Sequence, residues 1–203
     1  MATEFYTPTV NDRLHIKPDP DMFKVSGDQV FATLQGEGVT AGSPSVFLRL
    51  HFCNLACGKT GGWKCDTGYT WDKGRAEFWQ EPVDWTFTQT VEEINKAWNE
   101  KFINISDSEK RLVVTGGEPL LQQRKIIELR KLLPKWKVEI ETNGTITPLS
   151  KLADCQINCS PKLSNSGNSK DRRFRPETLK AINAMPNSWF KFVVISPEDL
   201  IEI

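Results

Sequence analysis

Residues 111–144, RLVVTGGEPLLQQRKIIELRKLLPKWKVEIETNG, constrain the fold more than any other stretch. RLVVTGG reads as a strand ending in two glycines. LLQQRKIIELRKLL has one apolar helical face and stops at Pro134, which cannot continue a helix. KVEIETNG then returns to the two-residue period of a strand. The same alternation runs along the chain. SVFLRLHF (45–52) reads as a strand. TVEEINKAWNEKF (90–102) reads as a helix, with Thr90 as N-cap and Glu93 completing a capping box. QINCSPK (156–162) is a strand, PETLKAINAM (176–185) a helix with Pro176 in its first turn, and WFKFVVIS (189–196) a last strand. SPEDLIEI opens another helix. Such alternation favours an α/β fold with a mainly parallel sheet or an open barrel.

At 203 residues the chain can bury a full core, and we expect one domain over residues 1–203. Residues 1–30 read as an N-terminal extension. Residues 162–175, KLSNSGNSKDRRFR, read as a flexible loop. Basic and acidic residues balance at 26 each, so no overall basic footprint favours nucleic acid. The N-terminus lacks the apolar centre of a signal peptide, and no run reaches membrane-spanning length. We therefore expect a cytoplasmic protein with reduced thiols and no nucleic-acid or membrane partner.

Strand parity separates two faces. Phe47, Arg49, His51 and Cys53 share one face; Val46, Leu48, Leu50 and Phe52 share the other, which is wholly apolar. An arginine on a covered strand needs an anion, either a carboxylate of the chain or a ligand. Likewise Val138, Ile140 and Thr142 alternate with Glu139, Glu141 and Asn143, while Gln156, Asn158, Ser160 and Lys162 form a polar row. A flat sheet would leave such a row solvated; a barrel would turn it inward. Periodicity is compatible with both.

Cys53, Cys57 and Cys65 follow the spacing C-x3-C-x7-C. Zinc would need a fourth ligand, His51 or Cys159. A 4Fe–4S cluster would need only these three thiolates, leaving one iron open. The spacing matches neither standard pattern. Cys155 and Cys159, on one strand, read as buried core thiols. VVTGGEPLLQ (113–122) adds a second feature. Its glycines would let a ligand approach the backbone, and Glu118 could accept from an ammonium group. Three clustered cysteines followed by Gly-Gly-Glu resemble the radical S-adenosylmethionine (SAM) superfamily, in which the open iron chelates SAM.

A narrower resemblance lies in FATLQGEG, PSVFLRLHFCNLAC, CDTGYTW, TGGEPLLQ, ETNGT and CSPK, which occur in this order between residues 31 and 194. Together they resemble the 7-carboxy-7-deazaguanine synthases. That resemblance implies a compact, incomplete (β/α)6 radical SAM barrel, here with its C-terminal part missing, and a homodimer. It implies conversion of 6-carboxy-5,6,7,8-tetrahydropterin to 7-carboxy-7-deazaguanine with loss of ammonia, on the path to queuosine. The cofactors implied are a 4Fe–4S cluster, SAM and Mg2+, with an electron donor such as flavodoxin. The resemblance also implies that hydrogen is taken from C6 of the pterin and that SAM is regenerated.

By the same resemblance, Cys53, Cys57 and Cys65 hold the cluster and Thr67 the magnesium. Leu34, Gln35 and Gly36 hold the pterin, with Glu37 nearby. Arg49 pairs with the substrate carboxylate, and Asp66 and Thr115 contact substrate. Lys64, Gly117, Glu118, Ser160, Pro161 and Lys162 contact SAM. Family members commonly carry C-x3-C-x2-C or C-x14-C-x2-C, so the x7 gap is intermediate. Two alternatives stand beside this reading: a radical SAM activase that installs a glycyl radical, and a zinc-stabilised binding module without catalysis.

Overall fold

The fold is a computed structural model that describes residues 5–203. Its centre is a seven-stranded mixed sheet. The strands are β1 (Phe23–Leu34), β2 (Pro44–Leu50), β3 (Val83–Trp85), β4 (Arg111–Gly116), β5 (Lys137–Thr142), β6 (Gln156–Cys159) and β7 (Ser188–Phe190). They lie in the order β3-β1-β2-β4-β5-β6-β7. β1 pairs antiparallel with both β2 and β3, whereas β2, β4, β5, β6 and β7 run parallel. The helices are α1 (Val10–His15), α2 (Ala76–Gln80), α3 (Phe87–Lys101), α4 (Gln123–Leu132), α5 (Lys170–Arg173), α6 (Pro176–Asn183) and α7 (Asp199–Glu202). No helix among the described residues is long and apolar enough to cross a membrane.

The apolar strand face packs as its parity predicts. Val46, Leu48 and Leu50 join Leu112, Val114, Ile140 and Ile157 in one core. Ile94 and Trp98 of α3, Ile126 and Leu129 of α4, and Ile182 of α6 cover it. Each fully buried side chain of this size contributes about 1.5–3 kcal/mol relative to exposure. Trp98 anchors the helical layer, packing edge-on against Trp136 at 5.6 Å.

The polar face is not solvated. Glu139 is completely buried, and Gln156 and Asn158 nearly so. Glu139 is ion-paired with Arg111 and accepts from Asn158 at 3.0 Å and Thr40 at 3.1 Å. The amide of Gln35 reaches both Glu139 and Glu141 at 3.4 Å. A buried carboxylate persists only with such partners.

Several boundaries differ from the sequence expectation. Helix α3 starts earlier, with Thr86 as N-cap accepting from the Gln89 N–H at 3.2 Å. Thr86-x-x-Gln89 fits a capping motif as well as Thr90-x-x-Glu93, and the earlier start packs Phe87 edge-on against Phe23 at 5.3 Å. Thr90 lies inside the helix and donates to the Thr86 carbonyl. A 3-10 turn, Pro119–Gln122, precedes α4 because Glu118 caps it through the Leu120 N–H. β7 is shorter than expected; beyond it, the Val193 carbonyl accepts from Asn165 rather than from a strand. β1 lacks a continuous two-residue alternation because its register shifts between Val25 and Val30, where Gly27 and Gln29 adopt φ +60 and +56. Part of the expected N-terminal extension thus belongs to the sheet. Residues 162–175 contain a 3-10 turn, Ser164–Ser166, and the short α5.

Candidate active site

Parallel strands concentrate binding at their carboxyl ends. A cavity of about 650 Å³ opens there, and Cys53, Cys57 and Cys65 all line it. The regular strand breaks off after Leu50, and Phe52 takes φ +75, where strand parity ends. The Cys53 N–H then donates to the Thr70 carbonyl at 3.1 Å, tying it to the turn that follows Cys65.

His51 falls on the wrong side of that break. It is fully buried between Phe52 and Phe78, with Nδ1 3.3 Å from Ser26 Oγ. Burial pulls its pKa down to about 3. Cys159 and Cys155 lie in the apolar core, and burial pushes their thiols up to about 12 and about 11. Neither His51 nor Cys159, the fourth ligands a zinc module would draw on, lines the cavity. Among the described residues no three His, Cys, Asp or Glu side chains are grouped to hold a single metal ion. Burial pushes the Cys53 thiol up to about 12 and raises Cys57, which Lys162 partly offsets. Thiols in this state lose their protons on binding metal.

Arg49 lines the cavity beside Thr115, its partner in the β2–β4 register. Its guanidinium carbon lies 5.1 Å from the centre of the Phe31 ring, which stacks on Phe47 at 4.9 Å. Its Nε is buried without a hydrogen-bond partner, and no described carboxylate forms an ion pair with it. Thr115 donates to Glu141 at 2.7 Å.

Asp66, Thr67, Lys64, Glu37, Gly117, Ser160 and Lys162 also line the cavity. Thr67 Oγ1 is 3.3 Å from the Gly116 carbonyl and 3.5 Å from Cys65 Sγ. Lys162 donates to Ser160 at 2.8 Å and lies 5.6 Å from the centre of the Trp63 ring.

Leu34, Gln35, Gly36, Glu118 and Pro161 do not line it. Leu34 is mostly exposed, and Gln35 is committed to Glu139 and Glu141. Glu118 is fully buried. It accepts from the Thr142 hydroxyl at 2.8 Å, the Asn143 N–H at 2.7 Å and the Leu120 N–H at 3.0 Å. Burial raises its pKa, and these donors oppose the rise. Its carboxylate therefore joins the ends of β4 and β5 rather than facing the cavity. The adjoining glycines also serve the backbone. A Cβ at Gly116 would lie 2.2 Å from the Leu50 carbonyl oxygen, and one at Gly117 2.1 Å from that of Phe52.

Sequence reasoning missed Glu141 and Lys191 as lining residues. Lys191 is ion-paired with Glu37 and lies 3.7 Å from Glu141. The signal for it was a lone cation within WFKFVV.

No protein-family model matches the chain. Three curated relatives are each named 7-carboxy-7-deazaguanine synthase. The protein of Pyrobaculum aerophilum is 37% identical over 183 residues, covering 86% of this chain and 69% of the relative. That of Buchnera aphidicola is 31% identical over 185 residues, covering 85% and 73%. That of Rickettsia prowazekii is 33% identical over 174 residues, covering 86% and 63%. The crystal structure of QueE from Escherichia coli matches with a TM-score of 0.62 and 22% identity, covering 96% of this chain and 80% of that one, and it supports the fold. By these identities and coverages, the chain belongs to the 7-carboxy-7-deazaguanine synthase family of the radical SAM superfamily.

Proposed function

We propose that this chain is a radical SAM lyase that converts 6-carboxy-5,6,7,8-tetrahydropterin to 7-carboxy-7-deazaguanine with release of ammonia, a step towards queuosine. One observation carries the reading: three thiols and an arginine with no carboxylate partner among the described residues line one cavity. Three thiol donors in a cavity of about 650 Å³ fit a 4Fe–4S cluster with SAM, held by Cys53, Cys57 and Cys65. Bound there, that pair supplies one-electron chemistry at carbon.

The chain's own residues bind, orient and enclose. Arg49 grips the substrate carboxylate with two parallel hydrogen bonds, with Phe31 against its guanidinium. Thr115, held by Glu141, and Asp66 orient the pterin, with Glu37 at the edge. Lys64, Gly117, Ser160 and Lys162 contact SAM. Glu118 acts on the site indirectly, by fixing Thr142 and Asn143. Thr67 contributes a neutral hydroxyl to magnesium. Such a ligand is weak, so the ion relies on substrate oxygens and water and binds poorly without substrate. Enclosing the reacting carbon keeps water and side reactions out.

The same reading takes residues 1–203 as one radical SAM domain built as an incomplete (β/α)6 barrel. It takes the protein as a cytoplasmic homodimer that is reduced by a flavodoxin-like donor. Anaerobic reconstitution tests it. Near four irons and four sulfides per chain, followed by pterin-dependent release of ammonia, are expected. Stoichiometric zinc without sulfide contradicts it.

A further inference from the structure

The seven residues between Cys57 and Cys65 are docked against a distant turn. The Gly58 N–H donates to the Ser166 carbonyl at 2.9 Å, Thr60 to the Gly167 carbonyl at 2.9 Å, and Trp63 to Asn165 at 3.1 Å. The fit is close: a Cβ at Gly62 would lie 1.7 Å from the Asn165 carbonyl oxygen, and one at Gly167 would lie 2.7 Å from Thr60 Oγ1. The polar run 164–168 is thus a template for the cysteine loop.

Asn168 completes that template and does more. Its Oδ1 accepts from the Ala56 N–H at 3.0 Å. Its Nδ2 donates to Cys57 Sγ at 3.3 Å and to Ser166 Oγ at 3.3 Å. Asn168 and Cys57 are both buried, at 8% and 6% exposure, so this N–H meets the sulfur away from water. Asn143 stands in a similar relation to a second cysteine. Its Nδ2 donates to Asn54 at 2.9 Å and lies 3.9 Å from Cys53 Sγ.

Resting on the radical SAM reading, we propose that Asn168 is a positioning residue of the cluster, holding the Cys57 loop and donating a hydrogen bond to the Cys57 sulfur that raises the cluster's reduction potential. A donor to a cluster sulfur favours the more electron-rich, reduced state. Outer partners of this kind fix ligand orientation as well as electronics. The backbone anchor and the sulfur contact use different ends of one amide, so they can be separated. Asn168→Asp keeps an oxygen for the Ala56 N–H but removes the N–H aimed at sulfur. Asn168→Ala removes both without adding charge, while the Gly58, Thr60 and Trp63 contacts remain.

The test is an EPR-monitored redox titration of anaerobically reconstituted full-length wild type, Asn168→Asp and Asn168→Ala, with iron and sulfide counts on each. The expected result is wild-type iron content in at least one variant and a more negative cluster potential in every variant that holds iron. An iron-replete variant with an unshifted potential overturns the proposal. So does loss of iron from both variants, which makes Asn168 a structural tie for the loop alone. A wild-type chain that takes up no 4Fe–4S cluster sinks the underlying functional reading instead, and is recognised before any variant is compared.

Discussion

Arg49 and Thr115 stand side by side in the parallel register of β2 and β4. Thr115 is held by Glu141, whereas the buried Nε of Arg49 has no hydrogen-bond partner among the described residues. Arg49→Lys keeps the charge but loses the planar fork. Losing a charge-assisted hydrogen bond worth about 1.5–3 kcal/mol weakens pterin binding about 10- to 150-fold. Calorimetry with the reconstituted protein measures this, and SAM binding and iron content should be unchanged. A variant that loses its cluster yet binds pterin normally would make Arg49 a structural residue.

The thiols divide into two sets. Ala substitution of Cys53, Cys57 or Cys65 should abolish cluster assembly, because each lines the cavity. Cys155→Ala and Cys159→Ala should keep full iron and lose stability, since both thiols are buried in the apolar core. Iron analysis and visible absorption separate the sets. A Cys57→Ala chain with a complete cluster contradicts the assignment.

Gly116 and Gly117 let the ends of β4 and β2 approach. Gly116 has φ +118, and an added Cβ would meet the Leu50 backbone at 2.2 Å. Gly116→Ala should cost about 2 kcal/mol or more, combining backbone strain with overpacking. Urea unfolding of the iron-free chain checks this. A change below about 0.5 kcal/mol, the range of an ordinary surface substitution, would be inconsistent with so close an approach.

Glu118 makes stability depend on pH. Burial raises its folded-state pKa above the ordinary value of 4.5. Its contribution is therefore full below that ordinary value and is lost as pH rises through the raised one. Glu118→Gln cannot titrate. The stability of wild type relative to this variant should fall from pH 4.5 upwards, measured as paired urea midpoints. A difference independent of pH, or one that grows with pH, contradicts the sign.

Much of this site could be read in the sequence because strand parity survives as far as Leu50. Arg49 emerges on the cavity side and Val46, Leu48 and Leu50 on the core side, as alternation requires. Parity fails where backbone geometry changes hand. Phe52 at φ +75 sends His51 and Cys53 to different environments, which a two-residue period cannot encode. Glu118 lies outside the cavity lining for another reason. A carboxylate after two glycines suits a ligand ammonium, but here two strand ends present their own donors to it first. The template turn at 164–168 had only the composition of a loop. Its order comes from contacts with residues about a hundred positions away, such as Ala56 and Gly58.

This chain is expected to perform the ring contraction itself. The most direct measurement is mass-spectrometric product analysis after anaerobic incubation of the reconstituted, reduced protein with 6-carboxy-5,6,7,8-tetrahydropterin, SAM and magnesium, with a Cys57→Ala preparation alongside. The expected result is 7-carboxy-7-deazaguanine over many turnovers, SAM not consumed in step with product, and no product from the variant. A wild-type chain that carries its full 4Fe–4S cluster, cleaves SAM and leaves the pterin unchanged would contradict it.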